Sequence, residues 1–385
     1  MKKKFFIVGT KGVPANYGGL ETFAHEISIR LVKSNFDVYV TCEKTVDQPE
    51  GPAEFEGVKL IYVNAPSNNL RTLISDTRSL SKCLKIADKE DVIYILGYGV
   101  GPFAWNVIRK IKQKGVKFWL NPDGLEWKRP RWSRPARAYL QFSEKFLLKR
   151  SDKIICDAAA IKDFHADYYN ISNDLMEVIE YGAPKVEMPT EESLKKRETF
   201  LSKYNLKLGN YYTYVGRFVA DNNMELMVRG VLESHLDHKL LVLARHEVND
   251  PFYLKLKSII KESGKEGKVI LSGGVYDHEL LMALRQGEYA YLHGHEVGGT
   301  NPALVEAMGL GSFIIALNTV FNVEVLQDAA LFFNKNVEDF KLALVKADQL
   351  SDSDRMIYRE KALKRVKDHY NWERITDLYE TALKE

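Results

Sequence analysis

Cysteine, a surplus of one charge sign and long apolar runs are all scarce in this chain of 385 residues. Its three cysteines, Cys42, Cys83 and Cys156, are odd in number and far apart. They offer neither a disulfide framework nor the paired spacing of a zinc site, and read as buried thiols of a reducing compartment. Fifty-five basic side chains against 52 acidic ones leave a net charge of +3, too small to argue for nucleic acid. No uncharged run approaches the length that spans a bilayer. The basic start Lys2-Lys3-Lys4 leads into Phe5–Val8, which Gly9-Thr10-Lys11 interrupts at once, so a secretory signal is not expected. A cytoplasmic chain is the expectation, one still able to lie against a membrane.

What is present is ordinary for a soluble globular protein, 45% apolar and 28% charged residues. The length points to two domains, each able to bury a full core. Short β-branched or aromatic runs recur at Phe5–Val8, Val38–Cys42, Lys59–Val63, Val92–Leu96, Lys117–Asn121 and Lys153–Cys156. Amphipathic segments such as Thr22–Lys33, Thr72–Asp88 and Pro102–Lys114 lie between them. Repeated βα of this kind predicts a parallel sheet covered on both faces. A second series follows the polar stretch Lys185–Lys207: Tyr211–Val215, Lys239–Ala244, Lys268–Leu271, Tyr289–His293 and Phe313–Ala316. The expected architecture is α/β, two Rossmann-like doubly wound domains at 1–184 and 185–365. The charged segment Ser353–Glu385 reads as helical, with 366–385 able to cross back to the N-terminal domain. Ligands of open α/β sheets sit outside the carboxyl ends of the strands, so a cleft between two such domains is the expected site.

Polar residues and glycines cluster at those ends. Gly9 to Glu21, GTKGVPANYGGLE, joins a strand to a helix in the layout of a phosphate site, because helix N-termini carry unpaired N–H groups and partial positive charge. Its spacing matches neither the dinucleotide fingerprint nor the ATP/GTP loop. What remains is the pair Gly18-Gly19 just before the helix, and a turn needing only glycine backbone angles explains it equally well. Gly216-Arg217 follows the strand ending at Val215, and Gly294 to Glu306 follows the strand ending near His293. N–H groups at Gly299, Thr300 and Asn301 would surround a diphosphate, with Arg217 as a charge-assisted fork. Glu306, one turn into a helix that begins near Pro302, would accept from sugar hydroxyls.

Gly216-Arg217 together with Gly299–Met308 resembles the donor half of the retaining, nucleotide-sugar-dependent glycosyltransferases of family 4, whose fold is GT-B. Gly18-Gly19-Leu20-Glu21 is similar to that family's N-terminal glycine loop beside the diphosphate. More narrowly, Gly9–Phe23, Asn121–Arg129 and His293–Pro302 resemble bacterial rhamnosyltransferases of the β-1,4 type that build capsule and cell-wall polysaccharide. The resemblance spans nearly the whole chain. It departs from the broad family at two positions. Many members carry a carboxylate eight residues before Glu306, where this chain has Gly298, and Glu296 is the candidate substitute. Many also carry Lys five residues after the arginine, where this chain has Asn222 as a neutral donor.

The resemblance implies transfer of L-rhamnose from dTDP-β-L-rhamnose, with retention, onto a lipid-diphosphate-linked sugar. No cofactor beyond the nucleotide sugar and no metal is implied. Arg217, Asn222 and the N–H groups of Gly19, Gly299 and Thr300 would hold the leaving diphosphate, and Val275 and Tyr276 would lie against the base. Asp157, Asp123 or Glu296 would support the sugar cation or orient the acceptor, with capping or turn formation the other explanation for each aspartate. His293 and His295 read as non-ligands. The segment Lys128–Arg150 is basic and aromatic-rich. With Glu126, Trp127, Lys128, Arg129, Arg131, Arg134 and Arg137 it is expected to face the acceptor and an anionic membrane on the inner face of the plasma membrane, each cation adding about 1 kcal/mol. An ordinary solvated helix face explains the same pattern. No nucleic-acid module is evident. The rival readings are a hexosyltransferase using a UDP sugar, a nucleotide-sugar epimerase of the same fold and a non-catalytic nucleotide-sugar-binding subunit.

Overall fold

A computed structural model describes residues 2–15, 18–45, 50–68, 70–184 and 189–385. Asn16 and Tyr17 of the glycine loop, and residues 185–188 at the expected start of the second domain, lie outside the described residues. The chain forms two compact units, one of Met1–Gly182, Val297–Gly299 and Asn371–Glu385, the other of Ala183–Glu296 and Thr300–Tyr370.

In the first unit the order is β1 (Lys4–Val8), α1 (Gly19–Lys33), β2 (Asp37–Lys44), β3 (Glu54–Phe55), β4 (Val58–Asn64), α2 (Arg71–Ile86), β5 (Val92–Leu96), α3 (Trp105–Gln113), β6 (Lys117–Asn121), α4 (Arg134–Leu148), β7 (Lys153–Cys156), α5 (Ala159–Tyr169) and β8 (Met176–Val178). The sheet runs β3-β4-β2-β1-β5-β6-β7-β8. Every pairing is parallel except β3 with β4, where Glu56 and Gly57 turn the chain at positive φ. Phe5, Phe6, Ile7 and Val8 are all fully buried, as a strand covered on both faces requires. On one face Phe5 and Ile7 meet Phe23, Ile27 and Leu31, the helical-spacing stripe of α1. Strand order reverses between β1 and β5, and Gly9 sits there at φ 98, where a Cβ would lie 2.3 Å from the Leu96 carbonyl oxygen.

The second unit follows as α6 (Glu191–Lys203), β9 (Tyr211–Val215), α7 (Met224–Glu233), β10 (Lys239–Leu243), α8 (Pro251–Glu262), β11 (Val269–Leu271), α9 (His278–Gln286), β12 (Ala290–His293), α10 (Pro302–Gly309), β13 (Ile314–Leu317), α11 (Val320–Leu326), β14 (Leu331–Phe333), α12 (Val337–Gln349) and α13 (Asp352–His369). Its sheet, β11-β10-β9-β12-β13-β14, is wholly parallel and reverses order between β9 and β12. Tyr212, Tyr214, Leu240 and Val242 pack on one face with Met227, Val228 and Val231 of α7. Elsewhere Tyr291, Ile314 and Ala316 pack with Leu304, Val305 and Met308 of α10.

The helical segment expected over Ser353–Glu385 is two helices. Asn371 accepts from the Arg374 N–H and caps α14 (Trp372–Lys384), so the chain turns between His369 and Trp372. Trp372, Ile375, Tyr379 and Leu383 then line up at three- and four-residue intervals against the α1 and β1 cluster. The Tyr379 and Tyr94 hydroxyls lie 2.9 Å apart, and Arg30 lies over the Trp372 ring. Burial of each such side chain stabilises the contact by about 1.5–3 kcal/mol. Among the described residues no helix is long and apolar enough to cross a membrane.

Candidate functional site

At the carboxyl edge of the second unit, β9 and β12 lie side by side and release the two loops singled out in the sequence. Gly216 is closely packed: a Cβ there would lie 2.9 Å from the Tyr214 hydroxyl and 3.2 Å from the His295 ring, so one of them would have to shift. Tyr214 donates to the Arg217 carbonyl at 3.0 Å, and the Asn222 side chain donates to both the Tyr214 hydroxyl and the Arg217 carbonyl. Asn222 is 1% exposed. The amide expected to serve as a neutral donor is thus engaged inside the loop, where it fixes the turn that carries Arg217. Asn223, which the sequence reading did not single out, adopts φ 56 and donates to the Gly294 carbonyl at 2.9 Å, fastening one loop to the other. Beneath them His293 and His295 stack with ring centroids 4.5 Å apart. Burial, with His295 and Arg285 nearby, holds the His293 pKa well below the ordinary histidine range.

The N-terminus of α10 completes this edge. Asn301 caps it, its side-chain oxygen accepting from the Ala303 and Leu304 N–H groups. Pro302 takes the first helical position and Thr300 is buried just before it. Glu306 does not stand alone. Arg285 of α9, its side chain wholly buried, ion-pairs with Glu306 Oε2 and donates to the Ala303 carbonyl at 3.0 Å. Arg285 also lies over the Tyr291 ring. Behind it Glu288, fully buried, accepts from Thr213, and burial pushes its pKa up to about 7. Arg285 had no sequence signal beyond a cation beside the apolar Ala283-Leu284. Glu296 pairs with Lys335. Val275 packs against the Tyr211, Leu241 and Leu284 cluster, while Tyr276 is 65% exposed.

In the first unit, Gly18 has φ 116 and precedes α1, whose first residue is Gly19. Glu21 folds back beneath the loop, accepting from the Lys11 N–H at 3.2 Å, and a Cβ on Gly18 would meet its carboxylate. Asp123 sits in an exposed turn at φ 52, its N–H bonded to the Asn121 side chain at 2.7 Å. Asp157, 3% exposed, directly follows β7. Gly299 packs against it so closely that a Cβ would lie 1.9 Å from Oδ1. A Cβ on Gly124 would likewise lie 2.9 Å from Gly298 Cα, and Arg129 donates to the Val297 carbonyl at 3.0 Å. This unit therefore gathers Asp157, the Asp123-Gly124 turn, Arg129 and Val297–Gly299.

Of the residues expected to face acceptor and membrane, Lys128, Arg131 and Arg134 are exposed, and Glu126, Trp127, Arg129 and Arg137 are half-buried. Glu126 accepts from Arg129, Arg131 and the Trp132 indole. Lys128 lies 4.1 Å from the Phe164 ring centroid, and Arg137 donates to the Pro130 carbonyl. Arg134, exposed, opens α4. Trp127 donates to Glu144, a fully buried carboxylate that also meets His165 at 3.0 Å and the Tyr169 hydroxyl. Glu144 was not legible as a hub, since its charge is one among many on a helix.

Two doubly wound parallel sheets, each with a reversal of strand order, define the GT-B fold class. The N-terminal residues 2–184 match a family model described as a domain of unknown function, DUF1972. The chain is similar in fold to sucrose-phosphate synthase from Thermosynechococcus elongatus, with TM-score 0.81 and 16% identity over 100% of this chain and 98% of that one. A glycosyltransferase from Rickettsia africae ESF-5 gives TM-score 0.75 and 15% identity, covering 100% and 98%. Anabaena HepE in complex with UDP gives TM-score 0.72 and 12% identity, covering both chains fully. No curated protein matches by sequence.

Proposed function

We propose that the chain is a retaining glycosyltransferase. It transfers L-rhamnose from dTDP-β-L-rhamnose onto a sugar carried by a lipid diphosphate, in polysaccharide synthesis at the inner face of the plasma membrane. The observation that carries the transferase reading is the β9–β12 edge. There a backbone-braced Arg217 and the capped N-terminus of α10 supply positive charge, and Glu306 is fixed through one oxygen by Arg285.

The reaction needs little covalent help from the protein. Negative charge develops on the departing nucleoside diphosphate, and groups already aimed at that charge lower the barrier. Arg217 would meet it as a fork and the α10 amides as a dipole end. Glu306 Oε1 would accept from the ribose while Arg285 holds Oε2. These charges do a divalent ion's work, so EDTA should leave the rate unchanged. The rhamnose assignment draws on the family resemblance and on Gly298 standing where a sugar-binding carboxylate is common, because a 6-deoxy sugar has one hydroxyl fewer to hold. A UDP-sugar hexosyltransferase is the second reading, favoured by the likeness in fold to Anabaena HepE with UDP.

Purified protein incubated with dTDP-rhamnose, UDP-glucose or UDP-N-acetylglucosamine, with and without a lipid-linked glucose or N-acetylglucosamine, tests the proposal by mass spectrometry. The expected product is rhamnosylated lipid plus dTDP, and Arg217→Ala lowers its rate about 100-fold or more. Product from UDP sugars alone would overturn the donor. A new free nucleotide sugar formed without acceptor would make the protein an epimerase.

A further inference from the structure

Within Glu126–Arg137 many polar groups pair with one another, as Arg129, Arg131 and Trp132 do with Glu126, while the later part of the basic segment, on α4, joins α3 in an aromatic and basic surface. Phe103, in the 3₁₀ turn Gly101–Ala104, is 63% exposed. Trp105, which opens α3, is 42% exposed, and Phe142 of α4 is 57% exposed. They form one strip. Phe103 pairs with Tyr139 at 6.1 Å, Phe142 with Phe146 at 6.2 Å and Phe146 with Trp105 at 5.9 Å, and Tyr139, Phe142 and Phe146 share a face of α4 by their spacing. Arg150 caps the strip, 3.8 Å from the Phe146 centroid and 4.7 Å from that of Trp105.

Charge around the strip is predominantly positive. Residues 101–117 contain no aspartate or glutamate, while Arg109, Lys110 and Lys112 are exposed on α3. The single acidic residue of α4, Glu144, is buried beneath, and Lys145 and Lys149 are exposed. Asp152, just beyond α4, pairs with Lys112 at 2.8 Å. Water gains nothing from three large exposed aromatics, and contiguous patches of this kind mark contact surfaces. Rings interleaved with cations suit a bilayer interface, where the rings sit at headgroup depth and the cations meet anionic lipid. A second copy of the same face would set like charges together.

We propose that the strip Phe103–Trp105–Phe142–Phe146, with the cations of α3 and α4, is a docking surface for a bilayer containing anionic phospholipid. It depends on the proposed function only for its purpose, delivery of a lipid-linked acceptor, because vesicle binding is measured without donor or acceptor.

Full-length protein is sedimented with vesicles of phosphatidylcholine, alone or mixed with phosphatidylglycerol, at low and high salt. The expected result is binding to the mixed vesicles only, weakened by salt, with a blue shift of tryptophan emission that Trp105→Leu reduces. Phe103→Ser/Phe142→Ser and Lys110→Glu/Lys145→Glu should each weaken vesicle affinity at least tenfold while the unfolding midpoint and dTDP binding stay at wild-type values. Equal binding to both vesicle types, undiminished binding by both variants, or a self-association in ultracentrifugation that the serine variant abolishes would overturn the proposal. Failure here with donor binding intact leaves the transferase reading standing; loss of donor binding in the wild type strikes that reading instead.

Discussion

Arg285 and Glu306 form a pair in which the cation has no solvent at all, so the carboxylate cannot be removed cheaply. Leaving a charge buried without its partner costs about 3–5 kcal/mol. Glu306→Leu, which strands the buried Arg285 guanidinium, should therefore lower the stability of the second unit by about that amount in urea unfolding. Arg285→Lys keeps the charge but not the fork, and should raise the donor KM more than it lowers kcat, a split that a purely structural role would not give. Gly299→Ala should abolish activity, because its methyl would have to occupy the place of Asp157 Oδ1. Arg217 and Glu306 stand out in the sequence as candidates because loop position and motif point to them directly. Arg285 does not, since a cation in the last turn of a helix reads as a partner for the helix dipole. Nor does the inward use of Asn222, because an amide in a loop gives no local sign of whether its donor faces solvent or the chain.

At the scale of elements, the long central strands are legible because a sheet covered on both faces demands near-continuous apolar runs, as in Phe5–Val8 and, with Thr213 its one polar residue, Tyr211–Val215. β3, β8 and β14 are only two or three residues long, too short for any periodicity to register. The break before α14 hinges on a single side chain. Asn371→Ala should cost about 1 kcal/mol through loss of the cap, read as a lower urea midpoint at unchanged m. Removing residues 371–385 should do far more. It uncovers Phe23, Tyr94 and Tyr181, and the shortened protein should lose near-ultraviolet circular dichroism and aggregate.

For the molecule as a whole, two buried carboxyls set a pH dependence. Burial, with Glu43 nearby, pushes Asp76 up to about 8, and burial pushes Glu288 up to about 7. A carboxyl with a raised folded-state pKa contributes its stability fully below its unfolded value near 4, and that contribution is lost as pH rises through the folded value. The urea midpoint should fall between about pH 5 and about pH 8, and Asp76→Asn should flatten the fall. The two βα series were plain in the sequence. No local pattern announces that Val297–Gly299 packs within the first unit, since those contacts join residues far apart along the chain. The central claim is that the β9–β12 edge grips a nucleoside diphosphate through Arg217, and isothermal titration with dTDP-rhamnose, dTDP and UDP tests it most directly. The account predicts saturable binding of the dTDP ligands that Arg217→Ala weakens at least about tenfold, or about 1.4 kcal/mol, with unchanged circular dichroism. Absence of binding by every nucleotide, or wild-type affinity in Arg217→Ala, would contradict it.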